Sequence, residues 1–411
     1  MTRLIDFTRQ SRFVRHWFGP QTIDHIRAFS AIASLHSKKQ NSILASYYRG
    51  GTSRALLFHR KDLPSDTKDW PPIFLGTIGA PDPNGRQLDG MGGGISSLSK
   101  ICVVAPSDRR DADIEFTFVQ VGVKDDRIDY SGNCGNMSSA IRPFPIDTGL
   151  VRPSNTAGLN TTVSLYNTNT QKIIEATFPI TNDGSETVEG DFAIDGVSGT
   201  AAKIQLDFVA PGSSKTGKLL PTGNTIDIID GLQVTCIDAG NPCIFVNADE
   251  LDVDGTLLPN ETDKRIDLLE RLESLRVKAA VAIGMANTTD AVPPSIPKIC
   301  FVSKPASHKI LSGETISADK VDVVVRAIST GQPHRALPIT TGSCVSAAAR
   351  LEGSVVHNCL SAGSCVKQEL VIGHPSGTLV VGAFYDDEGK LRKSTVYGTA
   401  RRLMEGRVFW K

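Results

Sequence analysis

Cys134 stands in Ser131-Gly-Asn-Cys-Gly-Asn-Met-Ser-Ser139, a thiol on a glycine loop where a helix is expected to begin. Unpaired backbone N–H groups and the helix dipole at such a point favour a thiolate or a bound carboxylate. The competing reading is a small buried cysteine in a tight turn. Flanking glycines and asparagines do not fill cores, so Asn133, Gly135 and Asn136 join Cys134 as candidates for a polar site. A second constellation, Gly90-Met-Gly-Gly-Gly-Ile-Ser-Ser-Leu-Ser-Lys100, runs glycines and serines into a lysine at the head of an apolar strand. A lysine facing a low-dielectric cleft loses basicity and can carry a proton. Lys100 is that candidate, approached by Gly93, Gly94, Ser96 and Ser97, and its bland alternative is a strand-edge lysine reaching out to water. A third, Arg49-Gly50-Gly51-Thr52-Ser53-Arg54, offers consecutive N–H groups, two hydroxyls and two guanidinium groups, which suit a carboxylate. The alternative there is a hairpin turn with exposed charges. Asn241 in Ala239-Gly-Asn-Pro242, and the pair His334-Arg335, supply similar groups later in the chain. Carboxylate sites converging on one cleft imply a di- or tricarboxylate substrate.

These groups need elements to position them, and the two halves of the chain repeat one another. Leu98-Ser-Lys-Ile-Cys-Val-Val-Ala-Pro106 recurs as Ile296-Pro-Lys-Ile-Cys-Phe-Val-Ser-Lys-Pro305. Lys298 takes the repeat-equivalent place of Lys100, without the glycine-serine run beside it. Each half opens with a strand, a tight glycine turn and another strand, Tyr47 to Phe58 and Thr235 to Val246, and then reaches its Lys-Ile-Cys strand. An alternating strand follows, at Asp113 to Val119 or Val321 to Arg326, and a polar loop then runs into an Ala/Ser-rich helix, Ser131 to Ile141 or Thr340 to Arg350. Turn residues near Asn167 to Lys172 and Asp386 to Lys390 predict a closing hairpin in each half. Small residues permit close approach, so each helix is expected to be wrapped by its own sheet, with a ligand cleft between two lobes. The expected class is α+β, two pseudo-symmetric lobes each folding a mixed sheet around a central helix. Residues 42–210 and 211–395 make the lobes, and residues 396–411 pack back on the first.

Composition bounds the function. The 44 Lys plus Arg residues balance 44 Asp plus Glu in 411 residues, which argues against a nucleic-acid or acidic-membrane binder. No run of 18 apolar residues exists to span a membrane. Eight irregularly spaced cysteines are too sparse for a disulfide scaffold and suggest a reducing compartment. Residues 1–41 differ, with seven basic residues against Asp6 and Asp24 and with aromatics interleaved, and read as a mitochondrial transit peptide or a surface extension. The expected address is therefore intracellular, mitochondrial or cytoplasmic. No Cys-x-x-Cys pair or His cluster is present to hold a metal. Two glycine-rich stretches are decoys. Gly212-Ser-Ser-Lys-Thr-Gly-Lys218 is followed by Leu219 where a P-loop needs Ser or Thr, and Ile95 stands in place of the third glycine of a dinucleotide fingerprint.

Together, Arg49-Gly-Gly-Thr-Ser, Leu88-Asp-Gly-Met-Gly-Gly-Gly-Ile-Ser-Ser-Leu-Ser-Lys100, Gly132-Asn-Cys-Gly-Asn136 and Thr399-Ala-Arg-Arg-Leu-Met-Glu-Gly406 resemble the PrpF family from about residue 43 onward. That family comprises 2-methylaconitate, methylitaconate and aconitate isomerases and oxalomesaconate tautomerases. The resemblance implies a diaminopimelate-epimerase-like fold and a cofactor-free double-bond shift by proton transfer, with Lys100 and Cys134 as the acid-base residues. The expected partner is a small di- or tricarboxylate, with no nucleic acid or membrane, and a homodimer is the candidate assembly. Arg54 stands where many members carry Lys, and a guanidinium cannot relay a proton, so its expected role is electrostatic. Ile339-Thr340-Thr341 replaces the small Gly-Thr-Gly loop expected before the second central helix. Epimerases of this fold oppose two cysteines, and Cys344, one turn into that helix pattern, is the candidate mimic of the second. A two-thiol amino-acid epimerase is the alternative reading.

Overall fold

The turn at Gly50-Gly51 joins β1 (Asn41–Gly50) to β2 (Ser53–His59), paired antiparallel from Ser46↔Leu57 to Gly50↔Ser53. Gly51 has φ +51°, a left-handed backbone that an L side chain resists. The structure is a computed structural model, and it describes residues 40–141, 144, 145, 148, 149, 160–182 and 185–411. Residues 1–39, which carry nearly all of the basic segment, lie outside these. Residues 43–408 form one compact unit, and the other consists of residues 1–42 with 409–411.

In the first lobe β2 runs parallel to β3 (Lys100–Pro106), which pairs antiparallel with β4 (Ile114–Val121). The short β5 (Ile128–Asp129) pairs with the end of β4, and β6 (Asn160–Asn167) runs parallel to its beginning. Next come β7 (Lys172–Pro179) and β8 (Ile204–Val209), both antiparallel. The second lobe starts with β9 (Asp227–Ile229) and repeats the pattern. A hairpin of β10 (Leu232–Asp238) and β11 (Pro242–Asn247) leads to β12 (Lys298–Ser303), parallel to β11. A two-stranded side ribbon, β13 (His308–Lys309) and β14 (Thr315–Ile316), precedes β15 (Val323–Ser329), which is antiparallel to β12. The lobe closes with β16 (Gln332–Pro333), β17 (Glu369–His374), β18 (Gly377–Tyr385) and β19 (Leu391–Gly398). β17 runs parallel to β15 as β6 does to β4. β19 pairs with β8, and β20 (Ala400–Trp410) returns beside β1, so the described strands other than the ribbon form one continuous sheet.

Each lobe wraps a helix of small residues. α1 (Trp70–Ile78) packs outside, stacking Phe74 on Phe58 at 5.9 Å. α2 (Gly135–Ile141) is buried at every residue. α3 (Ile266–Ala282) covers the outer face of the second-lobe sheet through Leu268, Leu272, Leu275 and Ala279. α4 (Ile339–Ala348), also buried throughout, is the partner of α2. A Cβ on Gly135 would lie 2.6 Å from Ile339, and one on Gly342 would lie 2.9 Å from Leu379. The glycines are therefore what let the two helices meet each other and the sheet. Large strand residues such as Phe116, Phe178 and Phe245 fill the space around them, each contributing about 1.5–3 kcal/mol by burial. Ile339-Thr340-Thr341 is not a loop before α4 but its first turn, because Pro338, extended at ψ 139°, stands just ahead and starts the helix there.

Candidate active site

A cavity of about 180 Å³ lies where the starts of α2 and α4 approach each other between the lobes. The first lobe contributes Thr52 and Ser53 from the hairpin tip, Ser96 and Ser97, Lys100 at the head of β3, Phe118 and Gln120 from β4, and Gly132 to Asn136. The second contributes Ser295, Lys298 at the head of β12, Ser329, His334, Arg335, the start of α4, and Ser376.

Lys100 is 5% exposed. The β3–β4 register sets it opposite Gln120, whose Oε1 accepts from Nζ at 2.6 Å, and the Phe118 ring lies 5.3 Å away. Gln120 is itself oriented, since its Nε2 donates to the carbonyls of Ser96 and Ser99. Burial holds the Lys100 pKa below the ordinary lysine value; nearby Cys134 opposes that shift, and Lys298 adds to it. Gly94, at φ +72°, donates its N–H to Gln87, and Gly93 packs on Leu98, so these two shape the turn that delivers Ser96 to Lys100 without lining the cavity.

Cys134 is half-buried at the edge of α2, its carbonyl accepting from Met137 and Ser138 and its Sγ 3.9 Å from the Ser53 hydroxyl. Asn133 is held by an amide from the opposite lobe. Asn241 accepts from the Asn133 N–H at 3.0 Å and donates to its carbonyl at 2.7 Å and to Thr340 at 3.2 Å. Asn241 is fully buried and supports the cavity wall without lining it. Asn136 donates to Thr52, tying the hairpin tip to α2.

Some expected contacts are absent. Arg49 and Arg54 do not line the cavity. The Arg49 guanidinium turns to the carbonyls of Gly51 and Thr399 and the Thr399 hydroxyl, closing the hairpin onto the chain leading into β20. Arg54 lies over the Tyr47 ring at 5.6 Å. Strand alternation carries both away from the hairpin tip, so the tip's polar groups reach the cavity and its guanidinium groups do not. Gly50 and Gly51 pack against α2, where an added Cβ would meet Asn136 at 2.5 and 2.1 Å. Cys344 is wholly buried within α4, its thiol donating to the Asn241 carbonyl at 3.0 Å and outside the cavity. Of the described residues that line the cavity, Cys134 alone carries a thiol.

The positive groups that do face the cavity are Lys100, Lys298 and, at the rim, exposed Arg335. Lys298 is 7% exposed and donates to the Ser295 carbonyl at 3.1 Å. The repeat placed it opposite Lys100 without making it a site candidate, and nothing local marked Gln120, Ser295 or Ser376. The His334 Nε2 is sealed from solvent without a partner; burial first, then Lys298 and Lys100, lower its pKa to about 3, so the ring is neutral. No described residue of the lining is Asp or Glu. Among the described residues, no group of three His, Cys, Asp or Glu is placed to hold a metal ion, and no helix is long and apolar enough to cross a membrane. The Gly212 to Lys218 loop, dismissed as a phosphate site, wraps the Asp238 carboxylate instead, with the N–H groups of Lys215 and Thr216 at 2.7 and 2.8 Å.

Comparison with known proteins agrees with this architecture. A family model described as PrpF protein matches residues 40–411. The chain is 39% identical over 369 residues to a 3-methylitaconate isomerase of Eubacterium barkeri, covering 88% of this chain and 95% of that protein. It is 37% identical over 387 residues to a 2-methyl-aconitate isomerase of Shewanella oneidensis, covering 90% and 97%. The solved structure of methylitaconate-delta-isomerase superposes with a TM-score of 0.73 at 38% identity, over 91% of this chain and 96% of that one. A hydroxyproline epimerase from Agrobacterium vitis gives a TM-score of 0.52 at 13% identity over 90% and 92%, a likeness of fold alone that fits the diaminopimelate-epimerase-like class.

Proposed function

Because the chain belongs to the PrpF family and is an isomerase, we propose that it catalyses a cofactor-independent 1,3-proton shift in an unsaturated di- or tricarboxylate of the aconitate or 2-methylaconitate kind. The observation that carries this reading is a buried amine, Lys100, and a thiol, Cys134, lining one small cavity whose described lining holds no acidic residue.

A proton on the carbon between a carboxylate and a C=C bond is acidified when the dienolate formed by its loss is held by preorganised donors. The Lys100 amine takes that proton and becomes ammonium. The dienolate then takes a proton from the Cys134 thiol at the far end of the allyl unit, which moves the double bond. Transfer of a proton from the ammonium to the thiolate restores both groups. Burial and the neighbouring Lys298, which depress the Lys100 pKa, make the neutral amine accessible. Ser53, Thr52, Asn133, Asn136 and the rim Arg335 supply donors for carboxylate oxygens. The relatives' names span methylitaconate and 2-methylaconitate, which differ in substituents around one allyl unit, and an oxalomesaconate-type tautomerase would use the same shift.

The test is NMR of trans-aconitate, 2-methylaconitate, methylitaconate and oxalomesaconate with the protein in D2O. At least one is expected to isomerise with solvent deuterium entering the allylic carbon. Neither isomerisation nor deuterium uptake across the set would reject the proposal. The two-thiol epimerase reading lacks support here, since Cys344 is outside the cavity. It would require racemisation of an amino acid that Cys344→Ser abolishes.

A further inference from the structure

The cavity has a charge problem in the free protein. Lys100 and Lys298 are each at least nine-tenths buried, one from each lobe at the same position of the repeat, and no described lining residue is acidic. Asp129, behind the Ser131–Ser295 contact, already uses its two oxygens on the N–H and hydroxyl of Ser131 and the N–H of Ser295. The Lys298 ammonium has three donors and gives one, to the Ser295 carbonyl. Beside it His334, whose buried Nε2 has no hydrogen-bond partner, lines the same cavity. Buried charges and polar atoms without partners are costly and are normally satisfied, so this set is built for a ligand that brings the missing anion.

We infer that Lys298, with the His334 ring nitrogen beside it, is the second-lobe anchor for a substrate carboxylate, so that a productive ligand presents one carboxylate to this lobe while its allylic carbon faces Lys100. The inference rests on reading the cavity as the substrate site. Lys298 supplies the charge, and the neutral His334 ring in the wall beside it offers its unpartnered Nε2 once the bound ligand shifts that wall. The anchor also fixes direction. A molecule whose carboxylate is pinned at the head of β12 can offer only one side of its allyl unit to the head of β3. Lys298 has a second effect, because it lowers the basicity of Lys100. The titratable groups bearing on Lys100 are Cys134, Cys102, Lys298 and His334, and those bearing on Lys298 are Cys243, Cys300, His334 and Lys100.

The experiment titrates the full chain and the variants Lys298→Met, Lys298→Arg and His334→Gln with tricarballylate, a saturated tricarboxylate that cannot isomerise. It records the thermal midpoint with and without that ligand. Lys298→Met is expected to weaken binding about tenfold or more, as loss of a charge-assisted hydrogen bond requires. Lys298→Arg is expected to retain most of the affinity and His334→Gln to fall between. The ligand-free midpoint of Lys298→Met is expected to equal or exceed that of the parent, since it removes a buried unpaired charge while the Ser295 carbonyl keeps the Ser329 hydroxyl. Tricarballylate affinity within twofold of the parent in Lys298→Met, or a lower ligand-free midpoint with an intact ligand-induced shift, would overturn the anchor. In turnover, Lys298→Met is expected to raise KM and move the rising limb of the pH profile upward, and an unmoved limb and KM count against the proposal. Absence of any turnover with Lys298-dependent tricarballylate binding would remove the isomerase reading and leave the anchor, whereas turnover with Lys298-independent binding would do the reverse.

Discussion

Two neighbours set the surroundings of the Lys100 amine: Gln120 fixes it, and Phe118 covers it where burial leaves it 5% exposed. With Lys100 as base and Cys134 as acid, Lys100→Met and Cys134→Ser are each expected to lower kcat by about 10²–10⁴, the usual contribution of a positioned acid or base. Fold-preserving loss of solvent deuterium exchange in both variants is the check, and a Cys134→Ser enzyme of parental rate would leave Lys100 as sole proton carrier. The rising limb of kcat/KM should lie below the ordinary lysine value of 10.5, because the free amine must accumulate before it can act. A limb at or above that value would contradict the burial argument. That both residues line the cavity was legible locally, because glycine, serine and asparagine around a thiol or a lysine do not build a core. Residue type alone does not carry where Arg49 and Arg54 lie, outside the described lining. Whether a guanidinium beside a turn meets solvent, substrate or backbone depends on what folds back against it, and for Arg49 that is Thr399, at the far end of the chain.

At the level of elements the site is the junction of two glycine hairpins with two small-residue helices. One amide governs that junction: Asn241, from the β10–β11 turn, holds both backbone groups of Asn133 and reaches Thr340 in α4. Asn241→Ala leaves a buried N–H and C=O without partners, which should cost about 2–4 kcal/mol in chemical denaturation. Because the amide fixes the segment carrying Cys134, kcat should fall as well. Stability lost with parental kcat would mean the Cys134 loop is held by other contacts. The repeat made these elements readable, since each half shows the same order of hairpin, Lys-Ile-Cys strand, alternating strand, polar loop and small-residue helix. It could not supply the registers that pair Lys100 with Gln120, or Lys393 to Gly398 of β19 with β8. Those depend on how far each strand slides before its apolar face is covered. The start of α4 was misjudged by a residue or two for a simpler reason. The resemblance put a loop at Ile339, Thr340 and Thr341, yet these β-branched residues are wholly buried and are carried into helix by packing.

Across the molecule, two lobes share a sheet through β8 and β19, and the charge balance of the whole chain conceals where its cations matter. Apart from residues 1–41 the chain has 37 basic and 42 acidic residues, yet the described lining of the cavity has cations and no anions. Enclosing imidazoles has a pH consequence for the entire fold. Burial lowers the pKa of His334 to about 3 and that of His374, fully enclosed near the β17–β18 turn, to about 4. Both lie below the free value of 6.5, so between pH 6.5 and 4 the unfolded chain binds protons that the folded protein refuses. Stability is therefore complete above about pH 7 and declines as pH falls through the unfolded value. Most carboxylates stay ionised at pH 5 in both states, which makes the interval from 7.5 to 5 a window on the histidines. The urea midpoint should fall across that window, and the paired substitution His334→Gln with His374→Gln should flatten the decline even if it lowers the midpoint at pH 7.5. A midpoint independent of pH in the parent, or an unchanged slope in the double variant, would mean that these imidazoles are not held neutral by the fold. That result would also take the neutral His334 ring out of the anchor argued for Lys298.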